Sequence, residues 1–162
     1  MKTCNIMIVG VCGQGTLLAS KLLGNLFMSS GADVKVSELH GMSQRGGSVV
    51  TYVKSGEKVH APVIDKGEAD FIVSFEVLEA ARWLPYLKKD GIMITNTQQI
   101  DPMPVITGAA QYPSNLVNKI KELGVNICAF DALKLAEEAG SSKAVNFVLM
   151  GKLSEYFDIP ME

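Results

Sequence analysis

Asn5 to Gly10 is a short apolar run that ends in Gly10-Val11-Cys12-Gly13-Gln14-Gly15. Beyond it Leu18, Ala19, Leu22, Leu23 and Leu26 recur at helical spacing until Gly31. A strand that feeds a helix through a tight turn is the opening unit of an open α/β sheet, and this constrains the fold more than any other feature of the chain. Three glycines in six residues let the chain leave the strand sharply. They also bring bare backbone N–H groups to the start of the helix, where the dipole favours negative charge. Gly10, Gly13, Gln14 and Gly15 are therefore candidate contacts to a phosphate, a carboxylate or a partner group. The spacing is G-x-x-G-x-G, which is neither the dinucleotide fingerprint G-x-G-x-x-G nor a P-loop with its Lys-Ser/Thr. Close packing of strand on helix accounts for the same glycines without any ligand.

The rest of the chain extends the pattern. Asp33 to Glu38 alternates apolar and polar residues and reads as a second strand. Ser48 to Lys54 and Lys58 to Ile64 are valine-rich and flank Ser55-Gly56, which predicts a hairpin and an antiparallel excursion from an otherwise parallel sheet. Phe71 to Phe75 reads as a buried strand, followed by a helix through Val77, Ala80, Ala81 and Leu84 that Pro85 limits. Gly91 to Thr95, after an Asp90-Gly91 turn, Val105-Ile106 and Val125 to Phe130 complete the predicted strands. Leu116 to Leu123 predicts a helix closed by Gly124, Asp131 caps another that ends at Gly140, and a last helix covers about Lys143 to Phe157. That helix is apolar nearly all round from Ala144 to Met150 and is expected to be buried. The expectation is one α/β domain over 1–162, a three-layer, open, twisted, mostly parallel sheet of six or seven strands. Helices cover both faces, with one antiparallel hairpin.

Composition excludes several function classes. At 162 residues with 48 % hydrophobic and 20 % charged side chains, the chain can bury about two-thirds of its unfolded surface without disulfides or metal. Its formal net charge of −2 leaves no positive excess to release counterions from a phosphate backbone, so nucleic acid is not an expected partner. No apolar run spans a bilayer and the N-terminus lacks signal-peptide features, so no membrane contact and a cytoplasmic location are expected. Cys4, Cys12 and Cys128 lack the spacing of a zinc or iron–sulfur site. Cys12 lies near a helix N-terminus, where a thiol can acidify, but reads rather as an inert small buried side chain, and the eight methionines read as core filler.

In such sheets ligands sit beyond the carboxyl ends of the strands, where the glycine turn, Glu38 to Gly47, Glu76 and Asn96 are all expected. Glu38 ends the second strand where a Rossmann domain binds ribose hydroxyls, so a stand-alone NAD(P)-binding module is one reading. The chain continues, however, into His40-Gly41-Met42-Ser43-Gln44-Arg45-Gly46-Gly47, a dense run of donors among glycines. Arg45 is suited to grip a carboxylate or phosphate with its planar fork, Ser43 and Gln44 to orient it, Glu38 to brace it, and Gly46 and Gly47 to let the loop approach closely. His40 reads as a loop-stabilising hydrogen-bond partner. Glu76 and Glu79 read as acids complementing the dipole of a first helical turn.

The segments Ile8 to Ala19 and Ser37 to Val49, together with Val73-Ser74-Phe75-Glu76, Glu79-Ala80, Arg82, Asn96-Thr97 and Asn146 to Gly151, resemble the gamma-type domain of 2-oxoacid:ferredoxin oxidoreductases. The resemblance spans nearly the whole chain. It departs at Cys12, where the pattern G-x-G-G-Q-G has another glycine. The resemblance implies an accessory subunit of a hetero-oligomer that oxidatively decarboxylates aryl 2-oxoacids such as indolepyruvate, using coenzyme A and ferredoxin. It also implies that thiamine diphosphate and the [4Fe-4S] clusters belong to a larger partner subunit, with no cofactor or metal bound by this chain alone. The glycine turn and the Glu38 to Gly47 loop would then face that partner.

Overall fold

The apolar segments Cys4–Val11 and Ser48–Gly56 pair as strands that bury side chains on both faces of one sheet, whereas Asp33–His40 is half-buried to exposed. The computed structural model describes residues 2–40 and 47–157. In chain order it contains β1 (Cys4–Val11), α1 (Thr16–Ser29), β2 (Asp33–His40), β3 (Ser48–Gly56), β4 (Ala69–Ser74), α2 (Val77–Trp83), β5 (Leu87–Asn96), α3 (Met103–Ile106), α4 (Leu116–Glu122), β6 (Asn126–Phe130), α5 (Ala132–Glu138) and α6 (Val145–Ser154). The six strands lie in the order β2-β3-β1-β4-β5-β6. From β1 outward through β4, β5 and β6 the pairing is parallel, whereas β3 runs antiparallel to both β1 and β2.

Alternation along β1 assigns the two halves of the core. Ile6 and Ile8 pack with Ala19, Leu23 and Phe27 of α1 and Leu149 and Leu153 of α6 on one face. Met7 and Val9 pack with Ala80 of α2 and Ile120 of α4 on the other. The result is the expected three-layer, mostly parallel α/β sheet.

The antiparallel excursion is real but lies elsewhere than expected. Ser55-Gly56 is the end of β3, not a turn, and the antiparallel partner that follows β2 in sequence is β3 itself, from Asp33 opposite Gly56 to His40 opposite Val49. The valine-rich run Lys58 to Ile64 forms no strand. Pro62 lacks the N–H a ladder needs, and the run instead covers the sheet, with Val59 and Ile64 buried and Ile64 against Met7, Tyr52 and Met93. Val105-Ile106, expected as a strand, belongs to the short helix α3, whose first turn accommodates Pro104. Asp90-Gly91 is not a turn either: it lies inside β5, near a register shift opposite Ala69 and Phe71. A Cβ on Gly91 would lie 2.6 Å from Leu87 Cδ1 and 3.0 Å from the Ala69 carbonyl oxygen, so a larger residue there requires Leu87 to move. The last helix begins after a short 3-10 turn at Ser142–Ala144, and only one of its faces is buried, since Phe147 remains 56 % exposed.

Candidate functional site

The direction of chain departure changes between β1 and β4, and this is where the glycine turn sits. Gly13 and Gly15 have φ of 91° and 85°, left-handed conformations that side-chain-bearing residues rarely adopt. Gly15 is the N-cap of α1 and provides no side-chain cap, and the first turn carries no acid. The helix therefore presents its N-terminal dipole without an internal counter-charge.

The turn is closed from within by Gln14. Its Oε1 accepts from the Val11 N–H at 2.8 Å and its Nε2 donates to the Phe75 carbonyl at 3.1 Å. Asn96 Nδ2 donates to the same carbonyl at 3.3 Å, and Asn96 Oδ1 accepts from the Ala132 N–H at 3.1 Å. Two amide side chains thus tie the carboxyl ends of β1, β4, β5 and β6 into one platform.

Gly47 joins this platform, because its carbonyl accepts from the Cys12 N–H at 2.9 Å. Ser43, Gln44, Arg45 and Gly46 lie outside the described residues. Glu38 pairs across the ladder with Thr51, one carboxylate oxygen contacts His40 Nε2, and the other is buried without a partner among the described residues. That His40 contact lies within β2, and the loop it is expected to stabilise, 41–46, falls outside the described residues. β3 lies between β2 and β1, so Glu38 is two strand spacings, about 10 Å, from the strand bearing the turn. In the ribose-binding arrangement the acid ends the strand beside β1, so the NAD(P) reading loses its geometry.

A groove of about 510 Å³ opens beside the turn, lined by Gly13, Gly15, Gln98, Ser142, Lys143 and Asn146 among others. Asn146 is 4 % exposed, and its Oδ1 accepts from the Phe147 N–H at 2.9 Å. Its Nδ2 finds no acceptor among the described residues and lies 3.6 Å from where a Cβ of Gly15 would stand. The groove wall is therefore rich in donors: an amide, an ammonium, a hydroxyl and a helix N-terminus. Gln98, Lys143 and Asn146 were not singled out from sequence as site residues. The signals for Asn146 are a lone Asn within the otherwise apolar stretch from Ala144 to Met150 and its place in the Asn146 to Gly151 segment of the family resemblance.

Glu76 and Glu79 do more than complement a dipole. Glu76, 1 % exposed, caps α2 by accepting from the Glu79 N–H at 2.9 Å, and also accepts from the Ile100 N–H at 3.1 Å and from the Tyr112 hydroxyl. Glu79, 4 % exposed, accepts from Ser48 Oγ, Arg82 Nε and Trp83 Nε1. Among the described residues no group of three His, Cys, Asp or Glu side chains could hold a metal, and no helix is long and apolar enough to cross a membrane.

Residues 5–162 match the family model described as pyruvate ferredoxin/flavodoxin oxidoreductase. The chain is similar to the indolepyruvate oxidoreductase subunit IorB of Thermococcus kodakarensis, 48 % identical over 99 % of this chain and 81 % of the relative. It is 36 % identical to the subunit of the same name from Methanothermobacter thermautotrophicus, over 98 % of this chain and 81 % of that one. Among solved structures, pyruvate oxidoreductase subunit PORC from Thermotoga maritima superposes with a TM-score of 0.71 at 21 % identity, covering 99 % of this chain and 80 % of its own. The 2-oxoglutarate:ferredoxin oxidoreductase of Magnetococcus marinus, solved with 2-oxoglutarate, coenzyme A and succinyl-CoA bound, superposes with a TM-score of 0.70 at 18 % identity. That match covers 98 % of this chain but 25 % of the larger polypeptide.

Proposed function

Because this chain belongs to the pyruvate ferredoxin/flavodoxin oxidoreductase family, we propose that it is the small subunit of a cytoplasmic complex that oxidatively decarboxylates aryl 2-oxoacids, indolepyruvate foremost. The observation that carries this reading is the near full-length identity of 36 % to 48 % with subunits named for indolepyruvate oxidoreductase. In that reaction the bond between the carboxylate carbon and the carbonyl carbon breaks and carbon dioxide leaves. The acyl group passes to the thiol of coenzyme A, and the two electrons pass to ferredoxin. Thiamine diphosphate and the [4Fe-4S] clusters sit on the large indolepyruvate oxidoreductase subunit, and this chain completes the site without reacting itself.

The role assigned to this chain follows from its donors. The N-terminus of α1 with Gly13 and Gly15, the Asn146 amide and the Lys143 ammonium offer hydrogen bonds and positive charge to the anionic portion of coenzyme A. Gln14 holds the turn in shape, while Arg45, assisted by Ser43, Gln44, Gly46, Gly47 and Glu38, supplies the contact to the partner or to a carboxylate.

Co-expression with the large subunit tests the reading directly. Copurification and indolepyruvate-dependent ferredoxin reduction that requires coenzyme A are expected, with indolepyruvate preferred over pyruvate and 2-oxoglutarate. Absence of both copurification and turnover overturns it. Arg45→Ala is expected to lower turnover of the reconstituted complex while the subunit stays folded, and unchanged turnover would remove Arg45 from the site. Micromolar binding of NADH by the isolated chain would restore the dinucleotide reading.

A further inference from the structure

Glu79 lies on α2, outside the groove and the glycine turn, yet it is bonded to both its own helix and the start of β3. Its Oε2 accepts from Ser48 Oγ at 2.5 Å and from Trp83 Nε1 at 3.2 Å, and its Oε1 accepts from Arg82 Nε at 3.1 Å. Ser48 follows directly on Gly47, whose carbonyl receives the Cys12 N–H, and it faces Val11 across the β1–β3 ladder. The bonds that close the glycine turn and the bond that anchors the start of β3 therefore fall on adjacent residues, Val11 and Cys12 on one strand and Gly47 and Ser48 on the other.

A carboxylate is the side chain this position needs. It is 4 % exposed and acceptor-only, and it meets three donors, one of them cationic, so each bond is charge-assisted and the buried charge is compensated. If Glu79 only braced α2, its contacts to Arg82 and Trp83, one helical turn away, would suffice. The bond to Ser48, 31 residues distant, is the one such a brace leaves unexplained.

We infer that Glu79 is a positioning residue, which sets the Gly47–Ser48 junction against the glycine turn and transmits displacement of that junction to Trp83, the single tryptophan of the chain. The Ser48 hydroxyl and the indole N–H share one carboxylate oxygen, so a change at one alters the other. Its consequence for catalysis rests on the function proposed above.

The coupling is testable on the full chain without the partner. Cys12 is exposed and its N–H is held by Gly47, so the rate at which iodoacetamide labels Cys12, read by peptide mass spectrometry, reports the junction. Ser48→Ala removes the link and leaves the contacts of Glu79 within α2 intact; it is expected to raise the Cys12 labelling rate several-fold and to shift Trp83 emission. Ser48→Thr, which keeps the hydroxyl, is expected to restore both signals. Glu79→Gln is expected to reproduce the Ser48→Ala labelling rate. A folded Ser48→Ala chain with unchanged Cys12 labelling and unchanged Trp83 emission overturns the inference, whatever Glu79→Gln does. In the reconstituted complex Ser48→Ala should raise the KM for coenzyme A several-fold with kcat little altered. A complex indifferent to coenzyme A would count against the proposed function, while labelling and fluorescence would still decide the role of Glu79.

Discussion

A Cβ at Gly10 would stand 2.9 Å from Gln14 Oε1 and 3.1 Å from both Phe75 Cβ and Thr16 Cγ2. Gly10→Ala is therefore expected to displace the amide that closes the turn and to cost about 1–3 kcal/mol, read as a lower urea midpoint. Gln14→Ala leaves the Val11 N–H without its acceptor and removes one of two donors to the Phe75 carbonyl. A similar cost, about 1–3 kcal/mol, is expected from the desolvated groups left behind. The glycines at 13 and 15 were legible in the sequence because a tight strand-to-helix turn calls for left-handed backbone within a few residues. The internal engagement of Gln14 was not, since its second partner is a carbonyl 61 residues away. The cysteines separate in the same way. Burial, with Asp70 adding to it, pushes the Cys4 thiol up to about 12, whereas Cys12 is exposed. Only the thiolate reacts, so iodoacetamide at neutral pH is expected to label Cys12 well before Cys4, as peptide mapping would show.

Between β5 and α4 the chain crosses the front of α2 and is held there by few groups. Val77 N–H donates to the Gln98 carbonyl, Ile100 N–H to Glu76, and the Tyr112 hydroxyl accepts from the Leu78 N–H at 2.9 Å while donating to Glu76. Burial first, and the bond to Glu76 second, hold the Tyr112 hydroxyl above its ordinary value near 10. A raised value means that the protonated phenol is the form that favours folding. This contribution is complete below about pH 10 and declines as pH rises beyond that, toward the higher folded value. Tyr112→Phe is expected to flatten the alkaline limb of the stability profile, to cost about 1 kcal/mol at neutral pH, and to speed amide exchange at Leu78. The same scale explains the misplaced hairpin. Lys58 to Ile64 carries valine and isoleucine because it covers a sheet face, and a short apolar run reads alike whether it joins a ladder or lies over one.

Across the whole molecule, the two ends of the sheet have different surroundings. The carboxyl end of the parallel strands carries the glycine turn, Gly47, Lys143 and Asn146, while Thr3 and Phe157 line one groove at the other end with Lys88 and Gly91. Hydrogen exchange of the reconstituted complex is accordingly expected to show new protection at 10–18, 47–48 and 142–147 and little at 87–91. Protection confined to the latter would place the partner on the wrong end and remove the basis for assigning the groove to coenzyme A.

The strand, glycine turn and helix at the N-terminus, the Asp131 cap, the α/β class and the family resemblance all followed from the sequence by itself. Each depends on backbone sterics, capping or periodicity within a few neighbouring residues, or on motifs that persist in the order of residues. Only the tertiary structure decided that β3 stands between β1 and β2, that Glu38 is thereby removed from the turn, and that Asn146 and Glu79 join Asn96 at the strand ends. Those outcomes depend on which buried faces and polar groups satisfy one another across 31 to 36 residues or more. The glycine turn is thus a local feature, but the donors beside it and the bonds that hold it are properties of the assembled sheet.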